Sequence, residues 1–188
     1  MEARLCVLVL AVLLVPSPAP AGEGEKAQHE RNDLLTGYEL IGQSLDAEAH
    51  LKYLLWLREL TLQGPAKEIE RLMAMIYEAS ARRSDELEKL RKLSPAVTEK
   101  PWPSPFGDAI QESAQWRGTK EMLFPDGKFG IRFLFLQAQA TRMVTVIAEQ
   151  TAKIDPNTER QKWLGEVAKQ FDDYREQLVK SVAGCQLQ

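Results

Sequence analysis

Apolar residues recur at steps of three and four along most of this chain, the spacing that places side chains on one face of a helix. Leu34, Tyr38, Ile41, Leu45 and Ala49 mark such a face and predict a first helix over about residues 30–62. From Leu51 the pattern changes. Leu51, Tyr53, Leu54, Leu55, Trp56, Leu57 and Leu60 point in nearly all directions, so this half needs cover on two sides. Gly64-Pro65 suits a helix end followed by a new first turn. A second helix is predicted over about residues 65–93, with Ile69, Met73, Ile76, Ser80, Leu87 and Leu90 inward. Its acid-first pairs Glu78/Arg82, Asp85/Lys89 and Glu88/Lys92 have the favourable i,i+4 orientation.

Residues 129–154 are the most apolar stretch outside the N-terminus. On a helical wheel Arg132, Gln139, Arg142, Glu149 and Lys153 form one stripe, roughly 100° of the circumference at 3.6 residues per turn. The rest is largely Phe, Leu, Ile, Val, Met or Ala, which predicts the central helix of a bundle. After Asp155-Pro156-Asn157, a last helix over about residues 156–183 carries the seam Leu164, Val167, Phe171, Tyr174, Leu178 and Val182. Between the two pairs of helices lie Pro95, Pro101, Pro103 and Pro105, which forbid a continuous helix. Asp108 and Gln111 read as a cap for a short helix over about residues 108–123.

The predicted fold is therefore all-α: a four-helix bundle of two helical hairpins, joined by a long Pro-rich crossover with a short extra helix. Residues 1–21 read as a signal peptide: Arg4, the apolar run Leu5–Val15, then Ala19-Pro20-Ala21 at the cleavage positions. A flexible lead-in over residues 22–29 and one domain over residues 30–184 would follow. Export through the secretory pathway to the periplasm or the extracellular space is expected, with no membrane association after cleavage. Cleavage would leave Cys185 as the lone cysteine, so no internal disulfide is expected and pairing in a homodimer is open.

Two hairpins joined by one long crossover is the connectivity of ferritin-like bundles, and the chain resembles that class over its four long helices. Met75-Ile76 and Asp85-Glu86-Leu87 also resemble secreted ferritin-like domains, except that Glu78 is followed by Ala79 where a histidine would stand. The resemblance implies a di-iron site built from inward carboxylates and two Glu-x-x-His motifs. The only histidines are His29 and His50, and Glu166-Val167-Ala168-Lys169 ends in lysine, so no metal or other cofactor is expected.

Net charge is −3 and no basic excess exists, which excludes a nucleic-acid partner on electrostatic grounds. Asp46 and His50 are i,i+4 neighbours that could share a proton or two metal bonds, too few for a zinc site. Arg132 and Arg142 could hold an anion or run along the surface of their helix. Trp56, Trp102, Trp116 and Phe124 could line a pocket beneath the crossover or simply pack it. No nucleophile elbow, phosphate-binding loop or haem motif occurs, so no catalytic residue is assigned. The candidate ligand-binding set is His50, Trp56, Trp102, Trp116, Phe124 and Arg142. The crossover aromatics are expected on the Leu54/Leu57 side of the first helix, with His50 at the edge. The function expected is a non-enzymatic exported bundle that binds a small ligand or a protein. A divergent ferritin-like metal-binding protein and a lipid-surface protein are the alternatives.

Overall fold

The computed structural model describes residues 23–59, 67–103 and 129–186, with only the backbone described for residues 23, 51–59, 67–68, 129–132 and 183–186. These residues hold four helices and no strand: α1 (Glu23–Glu59), α2 (Lys67–Leu90), α3 (Phe129–Ile154) and α4 (Thr158–Gln186). The signal-peptide residues, the Gly64-Pro65 turn and the short helix expected over residues 108–123 lie outside them.

α1 packs on α2 and α3, and α4 packs on the same two helices. Bonds between helices give their directions. Arg91 pairs with Glu39 and Ser84 donates to Asp46, so α1 and α2 are antiparallel. Trp163 donates to Glu86 and Arg83 to Gln170, so α2 and α4 are antiparallel. A three-residue turn reverses the chain between α3 and α4. It follows that α1 and α3 are antiparallel, and that α2 and α3 run the same way. The start of α1 meets the end of α3 where Gly37 lies against Thr151.

The apolar seams read from the sequence are the core. Leu34, Tyr38, Ile41 and Leu45 of α1, Ile69, Met73, Ile76 and Leu87 of α2, and Leu164, Val167, Phe171, Tyr174 and Leu178 of α4 are all buried. Val182 packs on their edge. Residues 23–29 are helical rather than a flexible lead-in, though the side chains of residues 24–29 are exposed. Glu25, Lys26 and Ala27 are good helix formers with no proline to stop them.

α3 is not the central helix. It contacts two neighbours, as the others do, and its outer face is wide. Gln139, Arg142, Glu149 and Lys153 are exposed as expected, but so are Phe135 at 57%, Met143 at 58%, Val146 and Ile154. The inward positions include Thr141, Thr145 and Thr151, whose hydroxyls donate to carbonyls one turn back in the same helix. Thr145 also reaches the Ala168 carbonyl of α4, whereas Thr141 and Thr151 are buried with partners on their own helix alone. The expected pairing of Arg82 with Glu78 is also replaced: Arg82 and Arg83 both reach Glu86, held by Trp163 of α4.

One end of the molecule is tied by a buried ion pair. Arg160 is 0% exposed and grips both carboxylate oxygens of Asp155 at 2.8 Å, while its third nitrogen donates to the carbonyls of Leu93 and Pro95. Tyr38 of α1 donates to the same carboxylate at 2.5 Å. Burial alone would raise the Asp155 pKa, but the bonds from Arg160 and Tyr38 outweigh it and hold the carboxyl below its ordinary range. Asn157, rather than Pro156, begins α4: its side chain accepts from the Arg160 backbone N–H, an N-cap.

Candidate functional site

Most buried polar groups among the described residues have partners within the protein. Three oxygens do not: Glu48 Oε2 on α1, Tyr77 Oη on α2 and Gln137 Oε1 on α3. All three residues are more than nine-tenths buried, Glu48 at 5% exposed. A buried polar group left without a hydrogen bond costs about 1–3 kcal/mol, and more when charged. These positions therefore carry a cost that the fold alone does not offset.

Each residue occupies an inward position because the helical register places it there. Glu48 follows Ile41 and Leu45 on the buried stripe of α1. Gln137 sits between Leu134 and Thr141 on the inward face of α3, and Tyr77 beside Ile76 and Ser80 on α2. Burial pushes the Glu48 carboxyl up to about 8. Burial also raises the Tyr77 phenol, and the charge of Glu48 raises it further, so the two groups share one electrostatic environment. Near neutrality Glu48 is thus poised between a carboxylic acid that donates and a carboxylate that accepts.

Of the residues anticipated from the sequence, His50, Trp102 and Arg142 have described side chains, and these three do not gather into one site. His50 is exposed in the C-terminal half of α1, and its Nδ1 lies 2.7 Å from the backbone oxygen of Asp46. The Asp46 carboxylate accepts from Ser84 instead, so the expected Asp46/His50 side-chain pair is not formed. Trp102 packs edge-on against His29, and its backbone N–H donates to Asn32. His29 and His50 are separated by roughly 31 Å of helix at 1.5 Å per residue. Trp102 therefore lies at the opposite end of α1 from Leu54 and Leu57, and not beside His50. The reason is the chain path after α2, which Arg91, Arg160 and Arg31 bind to the opposite end of the molecule. There Trp102, Arg31, Asn32, Leu35, Glu99 and Lys100 line a shallow cleft. Arg142 is exposed on the outer face of α3. The side chain of Trp56, and Trp116 and Phe124 altogether, lie outside the described residues.

Sequence reasoning passed over Glu48, Tyr77 and Gln137 because it sought aromatics and histidines. The signal was present as two polar residues at inward register positions of α1 and α3. Among the described residues, no three His, Cys, Asp or Glu side chains gather as a metal-binding group. No described helix is long and apolar enough to cross a membrane. No family model, curated protein or solved structure matches this chain.

Proposed function

We propose that this chain is an exported, non-enzymatic four-helix bundle that binds a small ligand within its helices. The observation that carries this reading is the set of three buried, unpartnered oxygens on three different helices. Buried polar groups are retained against their cost where something outside the fold meets them. The proposed architecture is two antiparallel hairpins joined by a long Pro-rich crossover, as in ferritin-like bundles. It is supported by the parallel run of α2 and α3. Export rests on the three-part pattern of residues 1–21. Native mass spectrometry of protein recovered from its exporting host tests the ligand reading. A bound small molecule lost from Glu48→Gln is the expected result, and a bare polypeptide mass in both proteins would oppose it.

A protein partner is a second reading, favoured by the outer face of α3. Phe135, Met143 and Val146 are exposed there, with Arg142 beside them. Large apolar side chains clustered on one face mark contact surfaces more often than scattered ones do. Sedimentation velocity of the wild type and of Phe135→Glu/Met143→Glu tests it. Self-association or co-sedimentation that the double variant abolishes is expected; identical monomeric profiles would remove this reading.

A further inference from the structure

The geometry points to a primary-ammonium site between α1, α2 and α3, with Glu48, Gln137 and Tyr77 as its oxygen acceptors. The inference rests on the small-ligand reading and names the chemical class of that ligand.

The three residues lie in one part of the molecule. Gly37 and Thr151 fix the register of the antiparallel pair α1/α3. Glu48 is eleven residues on from Gly37 and Gln137 fourteen residues back from Thr151, so they stand within about 4.5 Å along the helix axis. Asp46 and Ser84 fix the register of α1/α2. Counted from them, Tyr77 stands about 7.5 Å beyond Glu48, little more than one turn. The Tyr77 hydroxyl nevertheless feels the Glu48 charge.

The atoms select the ligand. All three unpartnered atoms are oxygens, and one belongs to a carboxyl group that carries a single negative charge when ionised. A primary ammonium offers three N–H donors and one positive charge. It matches the acceptors in number and offsets the one carboxylate. Calcium takes six to eight oxygens, and magnesium demands a near-octahedral shell, so one carboxylate and two neutral oxygens suit neither. A water would supply two donors and no charge, so it would leave Glu48 in the neutral form that burial favours and could not draw out its ionised form. An anion would be repelled by the ionised Glu48 carboxylate and by the Gln137 amide oxygen, with the single O–H of Tyr77 left to donate to it.

Thermal melting of the mature chain near neutral pH, titrated with methylammonium and ethylammonium chloride, tests the inference. Sodium, tetramethylammonium, magnesium and calcium chlorides at equal ionic strength are the controls. A saturable rise in Tm with the primary ammonium salts alone is expected. Glu48→Gln, which keeps the side-chain shape and removes the charge, should abolish the rise. Gln137→Leu should weaken the apparent affinity roughly tenfold, as for one lost bond of about 1.4 kcal/mol. An equal rise with every salt, a rise that persists in Glu48→Gln, or a rise with magnesium or calcium alone overturns the proposal. So does no rise at all, the result for an internal water only. If native mass spectrometry still finds a Glu48-dependent ligand while the ammonium salts do nothing, the ammonium class fails and the small-ligand reading stands. If neither effect is seen, both fail.

Discussion

Two buried acids in this chain behave in opposite ways because their surroundings differ. Asp155 meets a guanidinium, a phenol and a backbone N–H, and its charge is stabilised. Glu48 meets no opposite charge, and its neutral form is favoured. The signs follow. Between about pH 4.5 and 8 the folded chain holds a proton on Glu48 that the unfolded chain releases, so stability falls as pH rises through this window. The loss is on the order of 4–5 kcal/mol at its full extent, at 1.36 kcal/mol per pKa unit. Glu48→Gln should therefore melt higher than the wild type at pH 9 and nearly equal to it at pH 4.5; parallel profiles across that range would contradict this. Asp155 acts in the other direction, contributing stability that is lost on acidification below its ordinary range. Arg160→Met should cost about 3–5 kcal/mol, because it leaves a buried carboxylate without its partner. A chemical-denaturation midpoint shifted by less than 1 kcal/mol, on the order of a surface ion pair, would show that the pair is not buried as described. Neither residue stood out in the sequence. Asp155 was visible only as part of a turn signal, and Arg160 as one of many cations on an amphipathic helix.

At the scale of elements, the inward seams of α1, α2 and α4 were legible because leucine, isoleucine and aromatic residues repeat with the helix period. α3 was misjudged because side-chain type and side-chain direction part company there. Its threonines face inward and bond to carbonyls of their own helix, Thr145 reaching Ala168 of α4 as well, while Phe135 and Met143 face outward. A wheel that counts threonine as neutral cannot locate the buried arc. Glycine substitutions separate the packed faces from the open ones. A Cβ at Gly37 would fall on the Thr151 side chain, closer than atoms tolerate, whereas one at Gly165 meets nothing within 4 Å. Gly165→Ala should stabilise α4 by about 0.5–1 kcal/mol through helix propensity. Gly37→Ala should instead destabilise by about 1–3 kcal/mol, since overpacking between α1 and α3 exceeds the same gain. Urea melts of the two variants read both signs. A stabilised Gly37→Ala would mean that the two helices do not approach at that point.

For the whole molecule, the helical class and the number of long helices could be read from periodicity and from Asp155-Pro156-Asn157. Which helices touch could not. That is decided by long-range bonds such as Arg160 to Leu93 and Trp163 to Glu86, between residues far apart in sequence. The interior polar set was illegible for the same reason. Glu48, Tyr77 and Gln137 belong to three helices and acquire a common meaning only when the register of those helices is known. The ion pair at one end and the apolar seams suffice to explain the fold, so the unpartnered oxygens are what separates a ligand-binding interior from a purely structural one. A high-resolution crystal structure of the protein as recovered from its exporting host tests this most directly. The expected result is density for a non-protein group within hydrogen-bond distance of Glu48 Oε2 and Gln137 Oε1. If those oxygens instead bond to protein groups or to water alone, the interior is structural and the ligand-binding account is contradicted.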